Sequence, residues 1–346
     1  MQPTVLHLTA LLLLVPQDGE TSLGVEVDAI DPRIWCLHEA RDGHLWLGSN
    51  GSGLYRCDGE RVVHYTRDDG LEGLQVRSIT EDKDGNLFFA TSTGVTRFDG
   101  ERFTELTAVP AGDDGWTLDP DDVWLVFAPG THGPCRYDGE RLYLLELTQS
   151  PYVDPDGPGA NFPLAGVYQV YRDRRGHVWF GTAGAGLCRY DGETLAWMYE
   201  ERLTTTPSGG AFGIRSIFED RAGDFWVCNT RQRFEIDREA REEGGHVRIG
   251  YTKREGLPLA GSDTAENFAY YQSMLEDEAG ALWMACGDCV RRFDGEEVTR
   301  FAFDEGVYVA SLLYDREGRL WASTLEHGVF RLAGGRFEPF RPGSAR

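Results

Sequence analysis

The sequence predicts an all-β fold, a seven-bladed β-propeller of four-stranded antiparallel blades. Two observations predict it. One unit recurs seven times along the 346 residues, and each copy decodes into four short strands separated by Asp- and Gly-rich turns, at a period of roughly forty residues.

The clearest copy is VRSITEDKDGNLFFATSTGVTRFDGERF, which begins at Val76. Related stretches open at Ile34, Val167, Ile214, Tyr271 and Val309, and an eroded copy beginning near Asp113 is recognisable by DDVWLVFAPGTHGPCRYDGERL. The central aromatic of each copy falls at Trp46, Phe88, Trp124, Trp179, Trp226, Trp283 and Trp321. These seven read as packing residues. In the Val76 copy an alternating apolar strand leads to the turn Asp84-Gly85-Asn86, which suits a hairpin because Gly accepts positive φ at little cost. A second strand carries the aromatic. A small-residue turn precedes a third strand, Val95-Thr96-Arg97-Phe98, and Asp99-Gly100 turns into a fourth, Phe103–Leu106. A single such sheet cannot bury both faces, whereas seven in a ring cover one another and leave no long exposed edge. The chain thus divides into an apolar leader over residues 1–22 and a propeller over 23–346.

These residues resemble the two-component regulator propeller repeat, in which an apolar strand runs into E-D-x-x-G-x-L-W-x-G-T and then G-L-x-R-Y-D-G. Glu81-Asp82 with Gly85 carry the first part, and Trp179-Phe180-Gly181-Thr182 with Gly186-Leu187-Cys188-Arg189-Tyr190-Asp191-Gly192 carry the rest. The resemblance covers residues 34–340. It implies an extracytoplasmic sensing propeller, often one responding to glycans. No histidine-kinase or DNA-binding segment follows the last copy, so any signalling output is expected in a separate protein.

Charge and leader bound the partners. Acidic residues outnumber basic ones, 57 to 34, for a net charge of −23. That field repels phosphate backbones and anionic membranes, which argues against nucleic acid. The apolar run at residues 5–15 is too short to span a bilayer. It has the length of a signal-peptide core but lacks a preceding Lys or Arg and a following A-x-A-like site. Export to the periplasm or medium is the favoured reading, with an apolar strand or tail on a cytoplasmic protein as the alternative. No membrane insertion is expected once the leader is removed.

The candidate site follows from the scaffold. Propeller loops on one face form the recognition surface, and the connections between copies vary most, with long ones at residues 147–166 and 253–268. The residue just inside each first strand also varies, reading Trp35, Arg77, Tyr168, Arg215, Gln272 and Ala310. Packing positions would repeat. These six, with the loop aromatics Trp116, Tyr152, Phe162, Trp197, Phe212 and Tyr270, are expected to rim a pocket at the channel mouth. Aromatic faces beside Arg and Gln suit a small glycan or a peptide. A protein partner is the other binding expectation.

An enzyme is the alternative, the candidates being a polysaccharide lyase or a glycoside hydrolase, with His132 and His327 as general bases. No nucleophile, zinc-protease, phosphate-loop or dinucleotide motif stands in a suitable context, and no catalytic residue is assigned. No cofactor or metal is expected. Cys286 and Cys289 form a C-x-x-C without a second pair at zinc spacing. The stretch from Asp82 resembles the start of a calcium loop, but its twelfth position is Thr93 where a bidentate Glu is needed.

Overall fold

The structure is a computed structural model that describes residues 23–59, 61–112, 115–129, 132–153, 165–200, 203–204, 213–258 and 269–343. The leader at residues 1–22, Phe162 and Phe212 lie outside them.

The second repeat shows the unit in its plain form. Strands Val76–Glu81, Leu87–Thr91, Val95–Phe98 and Phe103–Leu106 pair antiparallel in chain order. In the turn between the first two, Asp82 Oδ1 accepts the backbone N–H groups of Asp84 and Asn86 at 2.9 and 2.8 Å. Gly85 there takes a φ of +86°, which any side chain would oppose.

The described strands form six sheets rather than seven separate four-stranded ones: four of four strands, one of five and one of eight. Three local causes account for the difference. Val25–Val27 adds antiparallel to Val62–Tyr65 as an outer fifth strand of the first repeat. The third repeat has no innermost strand among the described residues. Its turn at residues 119–122 stands where the other repeats have theirs, closed by Asp122 N–H on the Asp119 carbonyl at 3.2 Å. That sheet begins at Val123–Leu125, and Ala108–Pro110 fills the outer edge, parallel to Leu142–Leu144. The fourth and fifth repeats share one sheet because the long hairpin Arg233–Glu243 and His246–Arg254 reaches strand Leu195–Met198, pairing Arg248 with Trp197 in parallel.

Side-chain packing joins the sheets. All seven central aromatics are buried, as their role in packing requires. Two residues after each stands a small or medium side chain, and at Gly48 a Cβ would lie 2.5 Å from Sγ of its own ladder partner Cys36 and 2.8 Å from Val76 of the neighbouring sheet. At Gly181 it would lie 2.6 Å from the Ile214 carbonyl oxygen. The turn aspartate does more than cap its turn. Asp173, Asp220, Asp277 and Asp315 each accept the indole N–H of the tryptophan six residues on, at 2.9, 2.8, 2.9 and 2.7 Å. In the first and third repeats that position is Ala40 or Leu118, and Trp46 Nε1 and Trp124 Nε1 are buried without an acceptor among the described residues.

The E-D part of the repeat also has a use beyond its own turn. The glutamate ending a first strand accepts the backbone N–H of an arginine in the preceding repeat's turn: Glu81 from Arg41, Glu219 from Arg174, Glu276 from Arg221 and Glu39 from Arg316, at 2.8–3.1 Å. The arginine side chains then reach carbonyls of the next repeat, as Arg221 does to Glu278 at 2.6 Å and Asp277 at 2.8 Å. The latch from Arg316 to Glu39 joins the last repeat to the first. Ile34 and Leu47 share an apolar cluster there with Trp321 and Val329, and Gly328 N–H donates to the Pro32 carbonyl at 2.6 Å. The two ends therefore meet through packing and latches, with no sheet shared between them among the described residues. The result is an all-β, multi-bladed propeller arrangement of antiparallel sheets.

Candidate functional site

Innermost strands carry a recurrent irregularity. In the first, second, fourth and seventh repeats the register with the second strand skips one residue, between Ile34 and Cys36, Val76 and Ser78, Val167 and Gln169, and Val309 and Ser311. The skipped residues are Trp35, Arg77, Tyr168 and Ala310. A bulge leaves its extra residue outside the ladder and re-aims its side chain, so the packing residues on either side keep their register while this position varies freely. Arg215 and Gln272 stand just before the first strands Ile217–Glu219 and Ser273–Glu276. The backbone N–H of Gln272 donates to the Ala285 carbonyl at 2.8 Å.

All six side chains line one central cavity of about 340 Å³. Within it Arg77 lies 3.9 Å from the centre of the Trp35 ring, and Arg215 lies 4.3 Å from that of Tyr168. Such stacking uses the flat face of a guanidinium. Arg77 Nη1 is buried and has no hydrogen-bond partner among the described residues. Burial pushes its pKa below the ordinary arginine value, and the charge of Arg215 pushes the same way.

The described loop aromatics fall elsewhere, with one exception. Tyr270 belongs at the mouth, where it lines a smaller recess of about 210 Å³ with Trp35, Arg215, Gln272 and Tyr308. Its hydroxyl bonds the Gln272 side chain and meets the Tyr308 hydroxyl at 3.2 Å. Trp116 is a correction to the expected rim: its ring packs against Tyr190 at 5.0 Å and against Phe180 and Trp124 at 6.0 Å, filling the seam between the third and fourth repeats. Trp197 is fully buried with its indole N–H on Thr148 Oγ1. Tyr152 stacks on Tyr199 at 5.3 Å. Bulk at a loop position was a poor guide because seams between sheets demand it too.

Sequence reasoning missed part of the wall. With no innermost strand in the third repeat among the described residues, Trp124, Leu125, Val126 and Pro129 front the cavity. Hydroxyls at Ser78, Thr80, Ser216, Ser273 and Ser311 line it as well. They were legible only as residues near the bulge, once the bulge was known. His132 and His327 are exposed and neither is among the wall residues. Cys286 and Cys289 are free thiols. Among the described residues no three His, Cys, Asp or Glu side chains gather as metal ligands, and no helix is long and apolar enough to cross a membrane.

A sheet ring with a varied central wall defines a propeller. Residues 29–51, 70–93 and 161–184 match the model of the two component regulator propeller, so the kinship carried by the repeat holds in the first, second and fourth copies. No curated protein matches the sequence. Among solved structures, the extracellular domain of the putative one component system BT4673 from B. thetaiotaomicron is similar over 90% of this chain, at 17% identity and a TM-score of 0.61. This chain spans only 39% of that one. A catalytically inactive virginiamycin B lyase from Staphylococcus aureus, solved with quinupristin, is similar over 89% of this chain and 97% of its own, at 15% identity and a TM-score of 0.59. The WD40 propeller domain of Doa1 gives 14% identity and 0.55 over 90% and 96%. At these identities the likeness is one of fold.

Proposed function

We propose that the seven repeats act as a seven-bladed ring whose central cavity binds a small glycan or peptide, making this chain a ligand-binding or sensory propeller. The observation that carries the reading is the convergence on one cavity of six residues at or just before the first strands, five residue types among six repeats. A wall that served only packing would repeat with the blades. The sensory part of the reading is supported by the family of the repeat and by the fold shared with an extracellular domain of a regulatory system. Export of the chain, and a separate protein that receives the signal, belong to the same proposal.

The lyase or hydrolase reading draws on fold alone. The cavity wall, as described, carries no Asp, Glu, His or Lys, which supports binding over acid–base turnover. A flat protein-docking face has less support, since the large exposed apolar side chains among the described residues are scattered at Val25, Val109 and Tyr308.

A thermal-shift screen of the protein against glycans and peptides tests the proposal, because a ligand specific to the native state raises the melting temperature. Compounds that stabilise the protein should lose their effect on a variant with Arg77→Ala and Arg215→Ala whose own melting is unchanged. Hits that stabilise the double variant equally would place the site elsewhere.

A further inference from the structure

We propose that Cys286 and Cys289 are a redox site, a thiol pair that closes into a reversible disulfide across a hairpin at the rim of the central cavity. The pair needs no ligand in the cavity to do so.

Its place in the repeat is unusual. Three residues after the central aromatic, four repeats carry a Ser or Thr whose backbone N–H donates to a glycine carbonyl across the turn. The pairs are Ser49 with Gly53, Thr91 with Gly94, Thr182 with Gly186 and Thr324 with Gly328, at 2.8–3.2 Å. The three threonine hydroxyls donate to the same carbonyls at 3.0, 2.7 and 2.8 Å. The sixth repeat keeps the backbone bond, Cys286 N–H to the Cys289 carbonyl at 2.8 Å, but has cysteine at both ends of the clip.

Geometry allows a bridge. The ladder of this hairpin runs to Ala285 opposite Val290, so Cys286 and Cys289 are the next facing positions, with Gly287 and Asp288 as the loop between them. Facing residues of an antiparallel pair lie about 4.5–5.5 Å apart at Cα, within the roughly 4.4–6.8 Å that a disulfide spans. The Cys286 thiol already donates a hydrogen bond to the Cys289 sulfur.

The chemistry divides between the two sulfurs. That hydrogen bond, helped by the guanidiniums of Arg291 and Arg300, holds Cys289 below the ordinary thiol value against burial and the Asp288 carboxylate. Cys289 is buried and Cys286 is half-buried. Moving the shared proton along the hydrogen bond puts the thiolate on Cys286, the more accessible sulfur, and the thiolate is the attacking form. Cys286 attacks a low-molecular-weight disulfide R–S–S–R, a Cys286–S–S–R bond forms and one thiolate leaves. Cys289 gives up its proton and attacks Cys286 Sγ, and the second thiolate leaves. The two departing groups take the two protons as RSH. The cysteines lose two electrons and the small disulfide gains them.

The hairpin also anchors the rim. The Ala285 carbonyl accepts the Gln272 N–H at 2.8 Å, and the Gly287 carbonyl accepts that of Val309 at 2.6 Å. Gln272 and Ala310, the residue after Val309, both line the central cavity. The bridge would form on the segment that holds two of its wall strands.

Mass spectrometry of the full chain tests this, after equilibration in oxygen-free glutathione buffers, acid quenching, alkylation of the unfolded protein and trypsin digestion. Residues 255–291 make one tryptic peptide that holds Cys286, Cys289 and no other cysteine. It should pass from two alkylated thiols to none, with no glutathione attached, over about a hundredfold change in the ratio of oxidised glutathione to the square of the reduced form. Restoring the reduced form should reverse the change. Cys289→Ser should stop at a glutathione adduct on Cys286, and Cys286→Ser should leave Cys289 unmodified. Two alkylated thiols at every ratio, or two glutathione adducts without a bridge, would overturn the proposal on the wild-type protein alone. An adduct on Cys289 in the Cys286→Ser variant would overturn the order of attack.

Discussion

Arg77 and Trp35, bulge residues of neighbouring repeats, stack with the guanidinium 3.9 Å from the ring centre. Neither is held by the ladder, so their contact is a product of the cavity and not of sheet formation. Arg77 carries a burial penalty that the stack only partly offsets. Arg77→Met should therefore leave stability unchanged or raise it by about 1 kcal/mol, as residues kept for function often do. Urea unfolding measures this, and a loss beyond about 2 kcal/mol would mark Arg77 as a structural residue.

Asp315 is the turn acceptor for Trp321 and also pairs with Arg319 at 2.6 Å. Its burial would raise its pKa, but the Trp321 and Arg319 hydrogen bonds outweigh that and hold the carboxyl below its ordinary value of 3.8. A depressed folded-state pKa contributes stability that is present above the unfolded value and is lost as pH falls through the folded one. Asp315→Asn should thus flatten the acid limb of the stability profile below about pH 4. Urea midpoints measured from pH 5 to 2 for both proteins check it; parallel limbs would contradict it.

Ala40 stands where four other repeats have the aspartate that accepts a tryptophan N–H, and Trp46 Nε1 is left buried without one. Its turn keeps the shared geometry, with Gly43 N–H on the Ala40 carbonyl at 2.9 Å. Ala40→Asp should stabilise the protein by about 1 kcal/mol through one satisfied donor. The converse, Asp315→Ala, should cost about 1–3 kcal/mol by orphaning Trp321. Differential scanning calorimetry of both variants tests the pair.

Gly48 faces Val76 of the second sheet, and a Cβ there would collide with Val76 and with its own ladder partner Cys36. Gly48→Val should destabilise by about 1–3 kcal/mol or more through overpacking. Ala90 occupies the matching place one repeat on, so Gly48→Ala should be the milder change. Equal melting of both variants would contradict the seam described.

Much of the frame was legible because packing repeats. Seven buried aromatics and the turn glycines recur at matching places, and a recurring pattern is what a sequence displays. The cavity residues Trp35, Arg77, Tyr168, Arg215, Gln272 and Ala310 were legible for the opposite reason, as the one place that fails to repeat. What stayed hidden depends on pairing between distant segments. Nothing near Ile34 or Val76 announces a bulge, since the skipped residue is defined only by its partner strand. The third repeat has no inner strand among the described residues, and the shared sheet rests on the pairing of Trp197 with Arg248. Trp116 misled because an aromatic in a loop fills a seam as readily as it lines a mouth. The glutamate–arginine latches were visible as letters but not as contacts, because each pair spans two repeats.

A crystal structure of the protein with a compound that stabilises it in the thermal screen tests the account most directly. The predicted result is density for the compound in the central cavity, touching the Arg77 and Arg215 side chains and the hydroxyls beside them. Density at an outer seam between sheets, with the Trp35–Arg77 stack unvisited, would contradict it.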